Sequence, residues 1–209
     1  MKGSLLVLAA FIAGCLAGWG GLVPAVFKSN AVSLGVLYLL MFEVGLSIGS
    51  DSRLKEILSS VRPKLLLLPV ATVVGTLSGA ALVGFFLSRW SVFEALAVGS
   101  GFGYYSLSSI LIVQLKETAL GAHGAAELGT IALMSNMIRE MLTLLCAPWL
   151  VKYFGKLAPI CAGGVTSMDV TLPAVSRFSG KEWAFAAIFH GVLLDISVPF
   201  FVSFFCSLG

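Results

Sequence analysis

The sequence predicts an all-α polytopic membrane protein, and three observations carry that prediction. Of its 209 residues, 58% are apolar, and the mean hydropathy is +1.02; a soluble domain is about half apolar even with glycine counted. Charged residues make up 11%, under half the usual share of about a quarter, and cannot cover the surface of a water-soluble protein. The apolar residues fall into seven runs of roughly the 20-residue length that an α-helix needs to cross a bilayer. The alternating strands of a membrane β-barrel, about ten residues each, are absent. Soluble enzymes, nucleic-acid binders and disordered chains are thereby excluded, and no nucleic-acid partner is expected.

The first run is Ser4 to Phe27. Its start, Lys2 and then Ile12-Ala13-Gly14-Cys15, has the look of a lipoprotein signal. The run stays apolar to Phe27, where a lipoprotein would turn polar, so it is read as a membrane helix. Ala31 to Ser50 follows, apolar apart from Glu43. The others are Leu65 to Leu87, Val92 to Leu115, Leu128 to Val151, Pro159 to Ser176 and Trp183 to Leu208. The longest connections, Asp51 to Lys64 and Lys116 to Glu127, hold the charges; His123, in the second, carries no signal. Cys15, Cys146, Cys161 and Cys206 lie in four different runs without a C-x-x-C and read as small buried hydrophobes. No metal or cofactor is implied, and residues 1–209 read as a single membrane domain.

The net charge of +3 reads as Lys and Arg flanking membrane segments, and their distribution sets orientation. If all seven runs cross, eight basic residues lie on one side (Lys2, Arg53, Lys55, Arg62, Lys64, Lys116, Arg177, Lys181) and four on the other (Lys28, Arg89, Lys152, Lys156). The first side, with Asp51 to Lys64, is then cytoplasmic, the N-terminus inside and the C-terminus outside. Re-entry of Pro159 to Ser176 alone gives six against six and silences the rule. Re-entry of two runs leaves five spans with the same end orientations.

Two runs make poor continuous helices. Gly99 to Ser109 packs three glycines and four serines into eleven residues, which lowers helix propensity. Pro159 to Ser176 holds Gly163-Gly164, Thr166, Ser167, Asp169, Thr171 and Pro173. Irregular backbone at membrane depth survives only where protein or a water-filled cavity satisfies it, and paired Gly/Pro-interrupted segments mark transporter binding sites. About five full spans plus two broken or re-entrant segments are therefore expected. The breaks should approach each other, because one cavity must satisfy both.

Four acids sit deep inside apolar runs, well away from their ends: Glu43, Glu140, Asp169 and Asp195. A charge at a helix centre costs roughly 2.5–3.5 kcal/mol on the insertion scale and marks function unless it is paired or neutralised. Asn136 and Glu140, four apart, share a helical face. Arg139 points about 100° from Glu140 and either bends back to pair or serves another partner. Asp169 has no basic neighbour before Arg177; Thr166, Ser167, Ser106 and Ser108 are the hydroxyls nearest the breaks. His190 and Asp195 lie about 140° apart around a helix and are secondary candidates with Glu43, Thr171, Tyr104 and Tyr105. Asp195 has no broken segment of its own, so Asp195→Asn is expected to do less than Asp169→Asn. An intramembrane aspartyl protease would want Gly-x-Gly-Asp, but Gly101-Phe-Gly103 is followed by Tyr104. A serine type would want a Ser–His pair, and His190 is the one intramembrane histidine. A non-transporting scaffold subunit is a further reading, against which the intact acids argue.

The strings Gly101-Phe-Gly-Tyr-Tyr-Ser-Leu-Ser-Ser109, Asn136 with Arg139-Glu140, Thr166-Ser-Met-Asp169-Val-Thr-Leu-Pro173 and His190-Gly191 together resemble the lysine exporter LysO family in order and spacing. The resemblance runs over nearly the whole chain and is close from about Ala95 onward. It implies an inner-membrane exporter of L-lysine and close cationic analogues, driven by proton antiport, with its intramembrane acids at Glu140 and Asp169. Export or import of another cationic or polar metabolite is the neighbouring alternative. At the level of fold the family is related to cation/proton antiporters and bile-acid symporters, which implies half of an inverted-repeat architecture. Full-length members carry about three more N-terminal segments. This chain looks like the long chain of a split exporter, which implies a short membrane subunit or a homodimer as partner. Lysine has two ammonium groups and one carboxylate, so its site needs acids, and donors such as hydroxyls and freed backbone amides.

Overall fold

The computed structural model describes residues 63–209 and, before them, positions 13, 14, 16–21, 24, 32, 35, 39 and 42. Most of the expected runs Ser4 to Phe27 and Ala31 to Ser50, nearly all of Asp51 to Lys64, and Glu43 thus lie outside the described residues. Among the described residues there are helices and turns and no strand. The helices are α1 (Pro63–Phe86), α2 (Val92–Gly99), α3 (Tyr105–Phe154), α4 (Ala158–Gly163), α5 (Leu172–Phe178) and α6 (Ala184–Leu208). A 3-10 helix, Gly164–Met168, follows α4, and a 3-10 turn, Lys181–Trp183, precedes α6.

Among the described residues, three stretches are long and apolar enough to cross a membrane: Leu65–Phe86, Tyr105–Phe154 and Lys181–Leu208. Their outer faces are greasy. Leu67, Val74 and Phe86 on α1, Leu145 and Trp149 on α3, and Phe200 on α6 are all exposed. Apolar faces of this extent are unfavourable against water and comfortable against lipid.

The connection Lys116 to Glu127 is not the loop expected from its charges. Helix α3 runs through it, interrupted by non-helical backbone at Gly121 (φ 71°, ψ 166°). There the chain doubles back: a Cβ on Gly129 would lie 3.0 Å from the Ser109 carbonyl and 2.4 Å from the Val113 side chain. Residues 105–120 and 122–154 are therefore antiparallel partners. Lys116, read as a loop charge, is 1% exposed, and its ammonium lies 3.3 Å from Glu94 Oε1. The other oxygen of Glu94 accepts the Ser91 N–H at 2.8 Å while Ser91 Oγ accepts the Glu94 N–H. This reciprocal cap starts α2.

The Lys116–Glu94 pair fixes the path of the first broken segment. One continuous helix would hold positions 94 and 116 about 33 Å apart; their side chains meet, so α2 runs in and the start of α3 runs back. The second broken segment does likewise. Lys156 Nζ lies 3.2 Å from Glu182 Oε1, which closes the ends of the stretch holding α4 and α5. The two hairpins point at each other from opposite ends of the molecule. At one end Leu68 of α1 packs with Ile160, Val175 and Ala186. At the other, a Cβ on Gly84 of α1 would lie 3.0 Å from Val92, and one on Gly209 would lie 2.8 Å from Phe93. Helices α1 and α6 thus run side by side between those ends.

Removing one partner of a buried pair strands the other charge, at about 3–5 kcal/mol. Lys116→Ala should destabilise the protein on that scale, read as a lowered thermal unfolding midpoint in detergent. Lys116→Met with Glu94→Gln, which keeps the cap, should recover most of it.

Candidate functional site

The two breaks meet. Helix α2 stops at Gly99, and the chain turns through Phe102 (φ 45°) and Gly103 (φ 102°) before α3 begins. Helix α4 stops at Gly163, and Gly164 (φ 64°, ψ −130°) leads into the 3-10 helix. The Val165 N–H donates to the Phe102 carbonyl across the contact at 2.8 Å. A Cβ on Gly103 would stand 2.9 Å from the Gly163 carbonyl, and one on Gly164 would stand 1.9 Å from that of Phe102. The approach expected from composition is therefore a backbone-to-backbone contact.

Each break is stitched by one residue of α3. Asn136, 4% exposed, accepts the Gly103 N–H at 2.8 Å on Oδ1 and donates from Nδ2 to the carbonyls of Ala132 (2.9 Å) and Val98 (3.4 Å). Its amide closes the first break. Arg139 donates from Nε to the Ala162 carbonyl (2.7 Å) and from a terminal nitrogen to that of Cys161 (2.9 Å). These are carbonyls at the C-terminal end of α4, where helix partners run out and a cation is favoured. Of the two uses considered for Arg139, another partner is the one these bonds show.

The hydroxyls serve mainly the backbone. Ser108 Oγ donates to the Tyr104 carbonyl (2.7 Å), Thr166 Oγ1 to the Gly163 carbonyl (2.9 Å) and Ser167 Oγ to the Ala187 carbonyl (2.8 Å). Ser106 is half-buried beside them. Thr171 is fully buried, its N–H bound to the Thr166 carbonyl (2.9 Å). Tyr104 packs against the central core.

His190, fully buried on α6, has a more specific setting than its sequence context implied. Nε2 lies 2.9 Å from Thr72 Oγ1 on α1 and Nδ1 lies 3.1 Å from Ser167 Oγ. The Ser167 hydroxyl gives its one proton to Ala187, so Nδ1–H must donate to Ser167 and Nε2 is left to accept from Thr72. The histidine ties the second break to α1. Thr72 was missed by sequence reading, since one threonine in an apolar helix gives no signal until its partner is known.

Around the contact lie three acids. Glu140 is fully buried on α3. Asp169 is exposed on the irregular turn after the 3-10 helix, its Oδ1 accepting the Val170 N–H. The Tyr105 hydroxyl lies within electrostatic reach of both. Asp195, 4% exposed on α6, lies within reach of Asp169. The expectation that no broken segment surrounds Asp195 is corrected here. Gly191 lets α6 press on the 3-10 helix, a Cβ there meeting the Val165 carbonyl at 2.7 Å, and Asp195 is one turn further on the same face.

Two interrupted segments that meet inside a bundle of apolar helices, with acids gathered at the meeting point, are the construction of a membrane transporter's binding site. A model of the lysine exporter LysO family matches residues 8–206, and the chain belongs to that family, one of transporters and not of enzymes. The Escherichia coli (strain K12) protein named lysine exporter LysO is 33% identical over 204 residues, 97% of this chain and 64% of that protein. A Haemophilus influenzae protein described as a candidate lysine exporter is 32% identical over 202 residues, 96% of this chain and 97% of that one. The chain thus spans under two thirds of the E. coli relative and nearly all of the H. influenzae one. No solved structure matches it.

Proposed function

We propose that the chain exports L-lysine and close cationic analogues across the bacterial inner membrane in exchange for protons. The observation that carries this reading is the meeting of the two breaks beside Glu140, Asp169 and Asp195. Acids supply ligands for ammonium groups, and the unwound backbone supplies donors for a carboxylate. A carboxylate that holds either a proton or an ammonium couples the two flows by competition. The two hairpins act as opposed halves of an inverted-repeat, antiporter-like architecture, each re-entering from its own side.

Transport in this reading requires a further membrane segment, from a short second chain or from a second copy of this one. The motive is the 64% coverage of the E. coli relative. In liposomes, this chain as a monomer should move little lysine, and adding the missing N-terminal segments should restore efflux. Full lysine efflux by the monomer alone would overturn the partner requirement. No lysine movement in any combination, while another cationic metabolite is carried, would overturn the substrate.

Charge supports an orientation. Lys152, Lys156, Arg177 and Lys181 gather at the end closed by the Lys156–Glu182 pair. The opposite end has Arg89 and the already paired Lys116. The positive end belongs in the cytoplasm, which puts the N-terminus inside and the C-terminus outside. A cysteine at Ser59 should resist an impermeant maleimide added to intact cells; labelling from outside would reverse the orientation.

A further inference from the structure

Asp195 is more than a helper to the acids already placed in the site. Its carboxylate is almost sealed, and its Oδ1 is buried with no hydrogen-bond partner among the described residues. The inward-lying cations nearby are committed elsewhere, Lys116 to Glu94 and Arg139 to the carbonyls of Cys161 and Ala162. A bare carboxylate oxygen in a low-dielectric interior is unstable as an anion without a cation. An ammonium asks for about three acceptors and a metal cation for more. A proton asks for one oxygen alone, and one buried oxygen is what Asp195 offers.

Among the described residues, one charged group acts on Asp195. Glu94 and Lys116 stand near Cys206 at the far end of α6, and Arg139 acts on His190. Asp169, from the second break, comes within reach of Asp195: it follows Met168, whose backbone nitrogen would lie 2.9 Å from a Cβ on Gly191, one turn before Asp195 on α6. It is exposed where Asp195 is sealed, so a substrate can reach one and not the other.

We propose that Asp195 carries the exchanged proton and that Asp169, beside it, receives the substrate ammonium. Two neighbouring carboxylates repel when both are ionised, and a cation on one relieves the other. When the lysine ammonium settles on Asp169, Asp195 releases its proton to solvent by way of the exposed Asp169 side and stays as the anion. When lysine leaves, Asp195 takes a proton back, and its O–H bond re-forms. The proposal rests on the lysine reading above and divides the labour within that site.

Everted vesicles from cells making the chain with its partner segment separate the two roles. Lysine uptake driven by a pH gradient needs the proton carrier, whereas exchange of radiolabelled for unlabelled lysine does not. Asp195→Asn should lose the gradient-driven uptake and keep the exchange; Asp169→Asn should lose both. Asp195→Glu, which keeps a protonatable group, should keep driven uptake with a displaced pH profile, and it serves as the folded control if the asparagine variant fails to insert. Driven uptake by Asp195→Asn at the wild-type rate would overturn the proposal, as would loss of exchange in a well-inserted Asp195→Asn. A wild-type protein inert towards lysine in both assays would instead overturn the substrate reading, and this division of labour with it.

Discussion

Asp169→Asn is expected to abolish lysine efflux while the protein stays folded and inserted. The amide keeps the size of the side chain, and its oxygen still accepts the Val170 N–H. What it lacks is the charge. A hydrogen bond to a charged group is worth about 1.5–3 kcal/mol, so losing it weakens lysine binding about 10- to 150-fold. The site also becomes neutral whether or not substrate is bound, which removes the reason for proton and lysine to alternate. Glu140→Gln should have the same outcome, since Glu140 is fully buried and shares the field at Tyr105 with Asp169. The measurement is efflux rate against pH, with insertion checked by membrane fractionation. If Asp169→Asn exported lysine at the wild-type rate with unchanged pH dependence, the acid would be structural, the division of labour with Asp195 would fall, and the mechanism would have to be sought at Asp195 alone or at Glu43.

The second large effect belongs to Gly164. Its φ of +64° with ψ of −130° is a conformation that side chains rarely adopt, and an added Cβ would sit 1.9 Å from the Phe102 carbonyl. That carbonyl accepts the hydrogen bond from Val165, so Gly164→Ala must push the two breaks apart. Gly155 provides the comparison, because it too has a positive φ, +88°, but open space around its Cβ position. Gly155→Ala should show backbone strain alone, about 1–3 kcal/mol. Gly164→Ala should exceed it by more than the hydrogen bond it breaks, about 1 kcal/mol, and should lose transport. Thermal unfolding in detergent and efflux compare the two. Equal destabilisation with intact transport in both would mean that the contact between the breaks is dispensable.

The breaks were legible in the sequence because their signals are local. Gly99 to Ser109 and Gly163 to Pro173 carry glycines, hydroxyls and a proline where a span should carry aliphatics, and the structure interrupts its helices within both. Burial of a charge is not a local property. Lys116 looked like loop because a lysine inside a membrane protein is costly until its partner is known, and Glu94 lies 22 residues earlier. Asn136 and Arg139 were recognisable as polar groups too expensive to bury idly. Their spacing did not reveal that each closes a different break. Asp195 was set lower for a similar reason: the segment pressed against it belongs to another part of the chain. Composition shows what burial costs, and only the packed structure shows what repays it.

The joint between the two hairpins is made of peptide groups, the Val165 amide and the Phe102 carbonyl. Side-chain replacement cannot delete either partner, apart from proline at 165, which would remove the donor. The acids and hydroxyls around the joint are under no such restriction. Substrate preference in a protein built this way is therefore freer to drift under mutation than the crossing at its centre, which side chains disturb only by crowding it, as at Gly164.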